Sequence, residues 1–457
     1  MSGTTVPLSA DVIQRALDYR DFRVLRRYLK DSELADIADV FSDIEITSCV
    51  ALYRLVPRLR RADLFAYLPF ERQEELLEEL PDVIVEALIN EMEPDSRTRL
   101  LEELSYELRN KILLKLNPEE RRVARKLLSY PEDSVGRLMT PEVLALSADM
   151  TVAQALEKIH WNTSLPVEYL NYLYVTGQNG ELIGEVSLAS LVVCDPRTLL
   201  VGAVMKKNYV ALEPNQEGNE AVEIFRKYDT HFIPVVDQER KLLGIVTSDD
   251  VFDVAEEEAT EDIQQFGGHQ ALEDSYFQTP FLTMVRKRAG WLAVLFISGF
   301  ISGEAIRNYE ELLSRWGFLV FFLTTLNSAG GNSGTQTASL IIRGLAISEI
   351  SLKDVWKVLR RELLVGLTLG LILAFIGAGR ALSWGLGIKV ALVIATVVTI
   401  VVLLGVIAGS MLPFLFRALR LDPAVVSSPF ISTIMDLSGV LLLFNIAGFV
   451  LKHFGFP

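Results

Sequence analysis

The sequence predicts a multidomain membrane protein. It comprises an all-α N-terminal superhelical domain, an α/β pair of repeated modules, and an α-helical transmembrane domain of five spans. Three observations predict it: charge is segregated along the chain, two internal repeats fill the first half, and long apolar stretches fill the second. Residues 1–285 hold 29 Lys/Arg against 51 Asp/Glu, a net charge of −22, whereas residues 286–457 hold 15 against 8, a net of +7. A half so acidic repels nucleic acid and phosphate, which excludes nucleic acid as a partner, and it attracts cations. At 457 residues, two or three domains are expected.

Residues 8–130 carry helical patterning with a loose repeat. Pro69, Pro94 and Pro118 lie 25 and 24 residues apart, each followed by acids and then by leucines at helical spacing. Proline and acids both suit a helix's first turn, where no N–H partner is lost and the dipole is positive. Such a repeat predicts stacked helices.

Residues 137–255 change character. Strand-like Val143–Leu146, a capped helix from Thr151, Tyr172–Val175, a Gln178-Asn179-Gly180 turn and Leu182–Ser187 form one set. Tyr209–Leu212, a helix near Asn219–Tyr228, Phe232–Asp237 and Leu243–Thr247 repeat it about 60 residues on. A helix is expected from Ser248 to Phe266, then a polar linker over 267–280. The divisions expected are 1–132, 133–200, 201–254, 255–282 (connecting helix and linker) and 283–457.

Apolar stretches near 290–306, 317–346, 363–379, 388–412 and 429–451 approach the roughly 20 residues a spanning helix needs. The second and fourth have room for a bend. Ten Lys/Arg flank the spans on one side (286–288, 343–361 and 417–420), against five on the other. The positive-inside rule then places the N-terminal half in the cytosol and the C-terminus outside, in a plasma or inner membrane. The polar first 30 residues do not read as a leader. Cys49 and Cys194 lack metal-ligand spacing and read as reduced thiols. The four histidines lie in separate elements, and no Walker loop or nucleophile motif occurs, so neither an enzyme nor an ATP-driven pump is indicated.

Within the spans, Asp436 is the one acid well inside an apolar run. A carboxylate there costs roughly 2.5–3.5 kcal/mol on insertion scales, so it should face a cavity and an ion. Ser427, Ser428, Ser432, Thr433 and Ser438 surround it. The run Asn327–Thr337 has no large apolar side chain; it either permits close helix packing or lines a hydrated path. Oxygen donors without His or Cys suit a hard, hydrated ion such as Mg²⁺. A lone aspartate is an incomplete site, which a two-fold dimer would double. Outside the spans, Asp249, Asp250, Asp253, Glu256, Glu257, Glu258, Glu261 and Asp262 place eight acids in fourteen residues. Like charges at this spacing repel, so cations are expected to bridge them to neighbouring surfaces.

The duplicated module resembles a tandem CBS pair. The runs Gly330-Gly331-Asn332-Ser333-Gly334-Thr335-Gln336 and Asp422-Pro423-Ala424 through Asp436, with this order of parts, resemble the MgtE-type magnesium channels and transporters. The resemblance implies a homodimer in the lipid bilayer, with a pore at the subunit interface closed by high cytosolic Mg²⁺. It implies Asp436 as the pore's Mg²⁺ ligand and Asn332 beside it. It also implies a cytosolic sensor of Asp82, Glu86, Asp250, Asp253, Glu258, Glu261 and Asp262. Two departures stand out. A family position that is often acidic is Val83 here, and the nucleotide-binding aspartate kept in the second module as Asp249-Asp250 is missing from the first, which ends Ser187-Leu188-Ala189-Ser190. That argues against ATP at the first module's site. Two other functions fit less of the sequence: transport of Co²⁺, Mn²⁺ or Ni²⁺, and a membrane-anchored CBS sensor that does not conduct.

Overall fold

The computed structural model describes residues 10–453, apart from 163–164, 196–198, 273–275, 277–278 and 348. The chain divides into two compact units, Met1–Val254 and Ala255–Pro457.

The first unit opens with short helices in strict register. They begin at Ala10, Phe22, Leu34, Ile46, Arg58 (as a 3₁₀ turn), Phe70, Asp82, Pro94, Tyr106 and Pro118, each 12 residues after the last. The proline spacing of the sequence is therefore two helices, not one. Four consecutive helices stop at an extended residue with an apolar side chain: Leu80, Met92, Leu104 and Leu116 have ψ near 145° and are almost wholly buried.

A helix end leaves carbonyls without partners. Here the next helix supplies donors. Arg61, Gln73, Arg97, Arg109 and Arg121 occupy one register position, and each donates to the carbonyl five residues back, at Val56, Leu68, Met92, Leu104 and Leu116 (2.8–3.2 Å). Arg97 is fully buried and also pairs with Glu120. Val85 interrupts the series.

The α/β part holds two small sheets. In the first, Ala145–Ser147 runs parallel to Tyr172–Thr176, which pairs antiparallel with Leu182–Ser187. The second pairs Phe232–Val236 with Leu242–Thr247, and the expected strand at Tyr209–Leu212 is reduced to a single parallel bridge, Leu212 to Val235. Gly180 has φ of +84°, which the turn between strands requires of it. Segments outside the strands cross over: Thr140 bridges Ile245 in the second sheet, and Lys206 bridges Glu185 in the first. The acidic helix runs Ser248–Phe266, as its sequence predicts.

The second unit contains five long helices: Phe281–Arg307, Leu319–Ala346, Val355–Ser383, Gly387–Ala418 and Ser428–His453. Four of them are apolar and long enough to cross a membrane. Leu319–Ala346 matches them in length, at 28 residues or about 42 Å, but its polar run lowers its hydropathy. It and the fourth are each one continuous helix, and Pro413 sits inside the fourth without ending it. Pro423 and Pro429 do mark a break, between the fourth and fifth.

The second and fourth helices meet backbone to backbone. A Cβ built on Gly405 would lie 2.3 Å from the Gly330 carbonyl oxygen, and one on Gly409 would lie 2.1 Å from that of Gly334. Two G-x-x-x-G pairs thus face each other, which is how helices in lipid gain van der Waals contact without a hydrophobic drive.

Two predictions follow from these contacts. Arg97→Leu leaves Glu120 and two helix-end carbonyls without their donor, and should lower stability by about 3 kcal/mol in thermal unfolding. Arg58→Leu, which removes a surface pair, should change it by less than about 1 kcal/mol. Equal effects would refute the capping role. In the membrane unit, Gly409→Ala must push two backbones apart and should lower the melting temperature in detergent. Gly379→Ala, which has open space around its Cβ, should leave it unchanged.

Candidate ion path and acidic surfaces

The glycine contacts divide the polar run by face. Gly330, Gly331, Ser333, Gly334 and Thr337 are buried against neighbouring helices, whereas Thr325, Ser328, Asn332, Gln336 and Ser339 are exposed. Steps of three and four residues put these five on one stripe of the helix. A stripe of hydroxyls and amides on a helix of this length is a poor surface for lipid. Asn332 lies at its centre, with its amide 3.3 Å from the Ser328 hydroxyl. Close packing is therefore realised on one face, and the other is left polar and exposed.

The fifth helix packs antiparallel along the second through a polar seam. The hydroxyls of Thr335 and Ser428 lie 3.4 Å apart. Gly331 faces Ser432, whose hydroxyl oxygen would be 3.3 Å from a Cβ there. At the third level the Asn327 amide approaches the backbone carbonyl of Asp436, at 3.5 Å. Asp436 itself is exposed. The Glu362 carboxylate accepts from Thr337 (3.2 Å), so the third helix also brings an acid to the second.

Acids gather in two further places. In the first unit, Glu93 and Asp95 at the start of one helix meet the field of Asp249, Asp250 and Asp253 at the start of another. Burial, with Asp250 and Glu93 nearby, holds the Asp95 carboxyl well above the usual range. Burial raises Asp250 to about 7, with Asp249 and Asp253 adding and the Thr247 hydroxyl opposing. Arg99 pairs with Asp253, and Tyr169 donates to Glu93 at 2.8 Å. The buried Asp95 thus sits among Glu93, Asp249 and Asp250.

In the second unit, Asp262 is raised to about 6 by burial and by Asp422, Glu258 and Glu261. Glu261 accepts from Gln265. Asp422 caps the turn before the fifth helix, accepting from Ala424 N at 2.8 Å. Beyond the acidic helix, Gly268 lies against Trp291 and Pro429, and Trp291 donates to Ser427 at 3.1 Å. The end of the acidic helix is thus packed onto the first turn of the helix that carries Asp436.

The sequence-derived residues are distributed accordingly. Asp250 and Asp253 lie in the first cluster, and Glu258, Glu261 and Asp262 in the second. Asp82 is exposed and paired with Lys115 at 2.7 Å, which holds its carboxyl below the usual value. The Glu86 backbone carbonyl accepts from Asn90. The acids of the helical domain that face Asp250 are Glu93 and Asp95. Sequence reasoning missed them because acids in a helix's first turn already have a reason to be there. Among the described residues, no three carboxylate, imidazole or thiol side chains converge to hold a bare metal ion.

Comparison with known proteins agrees with this arrangement. The divalent cation transporter domain of MgtE matches residues 323–446, the MgtE intracellular N domain matches 32–133, and the CBS domain matches 135–194 and 201–257. The magnesium transporter MgtE of Thermus thermophilus is 35% identical over 332 residues, 73% of each chain. The transporter of the same name from Enterococcus faecalis is 31% identical, over 74% of this chain and 73% of that one. The crystal structure of the cytosolic domain of the Mg²⁺ channel MgtE in complex with ATP superposes with a TM-score of 0.51 at 31% identity, covering 54% of this chain and 99% of that one. The soluble part of a magnesium transporter superposes equally well, at 25% identity over 55% of this chain and 98% of that one. With its helical, CBS and transporter regions in that order, the chain is a multi-pass membrane protein of the MgtE family of divalent cation transporters.

Proposed function

We propose that the chain imports Mg²⁺ through a pore between two copies of itself, and that cytosolic Mg²⁺ closes it. The observation that carries this is the exposed polar stripe of the second long helix beside the exposed carboxylate of Asp436. Neither surface suits lipid, and a second copy related by a two-fold axis would turn both toward a shared water-filled path. Two Asp436 carboxylates with Asn332 amide oxygens form an all-oxygen donor set, which suits a Mg²⁺ that keeps its waters. The second long helix, Leu319–Ala346, then crosses the membrane with the four apolar helices, which makes five spans. The first unit is cytosolic and the C-terminus lies outside, as the basic residues between spans indicate.

Closure rests on the two acidic clusters. Mg²⁺ entering the cluster of Glu93, Asp95, Asp249 and Asp250, or the one of Glu258, Glu261, Asp262 and Asp422, would offset repulsion that otherwise drives the surfaces apart. Only the packed arrangement gains from the ion, so the ion favours it. Asp82 and Glu86 belong to the same acidic face of the helical domain in this reading. The contact of Gly268 with Pro429 would pass the change to the helix of Asp436. Adenine nucleotide is assigned to the second CBS module, where Asp249 is exposed. In the first, the Ser187 hydroxyl instead caps a helix by accepting from Ser190 N at 3.2 Å.

In liposomes containing the full-length chain, Asp436→Ala should abolish Mg²⁺ influx while the dimer still assembles; retained influx would refute the pore assignment. Neutralising Asp250, Glu258 and Asp262 together should leave influx intact and remove its inhibition by internal Mg²⁺.

Internal pH gives a second test. A carboxyl whose pKa is raised by packing binds extra protons when packed, so packing is favoured below the raised value and opposed as pH climbs through it. With Mg²⁺ outside only, lowering internal pH from about 8 to about 6 should slow influx, protons standing in for the ion. Asp250→Asn should flatten that response, and an unchanged profile would exclude Asp250 from the sensor.

A further inference from the structure

The polar seam contains one group that its neighbours do not account for. Asn327 sits between the second and fifth long helices, and its Oδ1 is buried without a hydrogen-bond partner. Its Nδ2 lies 3.5 Å from the backbone carbonyl oxygen of Asp436. Its Oδ1 lies 2.0 Å from where a Cβ on residue 439 would be, so any side chain there would have to push the amide aside. Residues 436 and 439 are one turn apart on the same face of the fifth helix. The amide is therefore clamped against both ends of the single turn that presents the carboxylate.

Burying an unpaired amide oxygen between two helices is unfavourable, and leucine would fill the same volume without that penalty. A group that close packing alone would not select is held where it touches the Asp436 turn. We infer that Asn327 is a positioning residue for the ion site: it fixes the rotation and height of the fifth helix at Asp436, and so the aim of its carboxylate into the path. The inference rests on the pore assignment of Asp436.

The chemistry that depends on this is discrimination between cations. Mg²⁺ holds its waters in a tight octahedron, whereas Ca²⁺ accepts variable numbers of ligands at longer distances. Two carboxylates at a fixed separation can recognise one hydrated size; carboxylates free to shift accept either. Asn327 thus acts on selectivity through Asp436, without touching the ion.

The test is influx into liposomes containing the full-length dimer, with Mg²⁺ and Ca²⁺ supplied separately and together. Asn327→Leu should assemble and conduct, with the preference for Mg²⁺ over Ca²⁺ reduced roughly tenfold, the scale on which small misplacements act. It should also need more external Mg²⁺ for half-maximal rate. An assembled Asn327→Leu dimer with unchanged preference would overturn the inference. Should Asn327→Leu fail to assemble, Gly439→Ala and the pair Asn327→Ala/Gly439→Ala decide. The single change should lose influx and the pair regain it with weak cation preference; a pair that stays inactive or regains full preference counts against the inference. Failure of the pore assignment itself would show separately, as Mg²⁺ influx retained by Asp436→Ala.

Discussion

The membrane unit depends on the close approach of its second and fourth long helices. Gly330 and Gly334 meet the backbones of Gly405 and Gly409 directly, with the Val401 and Ile431 side chains packed beside them, so the second helix needs no bulky side chain at those levels of that face. Its opposite face is then free of packing duty and can carry amides and hydroxyls. A helix held instead by interdigitated leucines would need a wider apolar stripe. Glycine on one side is what permits asparagine on the other.

The same economy governs the seam with the fifth helix. Three levels, at Thr335 and Ser428, at Gly331 and Ser432, and at Asn327 with Asp436 and Gly439, are polar or glycine on both sides. Hydrophobic packing sets depth and rotation loosely, because lipid and side chains are equally apolar. Polar groups that must find specific partners set both more sharply. Asp436 therefore owes its direction to groups that contribute little to burial.

How much of this could be read from the sequence varies with the range of the interaction. Asp436 is legible because a charge in an apolar run has few innocent explanations, and the helix Ser248–Phe266 because its composition and start signal agree. Asn327 is not, since it is one small polar residue in a run of them, and its partner is 109 residues away. Glu93 and Asp95 are hidden by the helix dipole, which accounts for such acids without any partner. The strand expected at Tyr209–Leu212 shrinks to one bridge because its residues pair at a single point. Taken alone, Pro69, Pro94 and Pro118 stand at every second helix start and so double the 12-residue period, whereas Pro57 and Pro81 mark the alternate starts.

That period has a mechanical meaning. Five helix ends are completed by a donor from the next helix, so the helical domain is a chain of hand-to-hand links rather than a set of independent turns. In such an array each unit rests on its neighbours. At Val85 the link differs: it stands in the donor position, has no polar side chain to offer Leu80, and is buried in the apolar core instead. The helix it belongs to, Asp82–Glu91, begins with the exposed Asp82. At that link the two helices are therefore joined by apolar contact where the others share a donor, and the core runs through it unbroken.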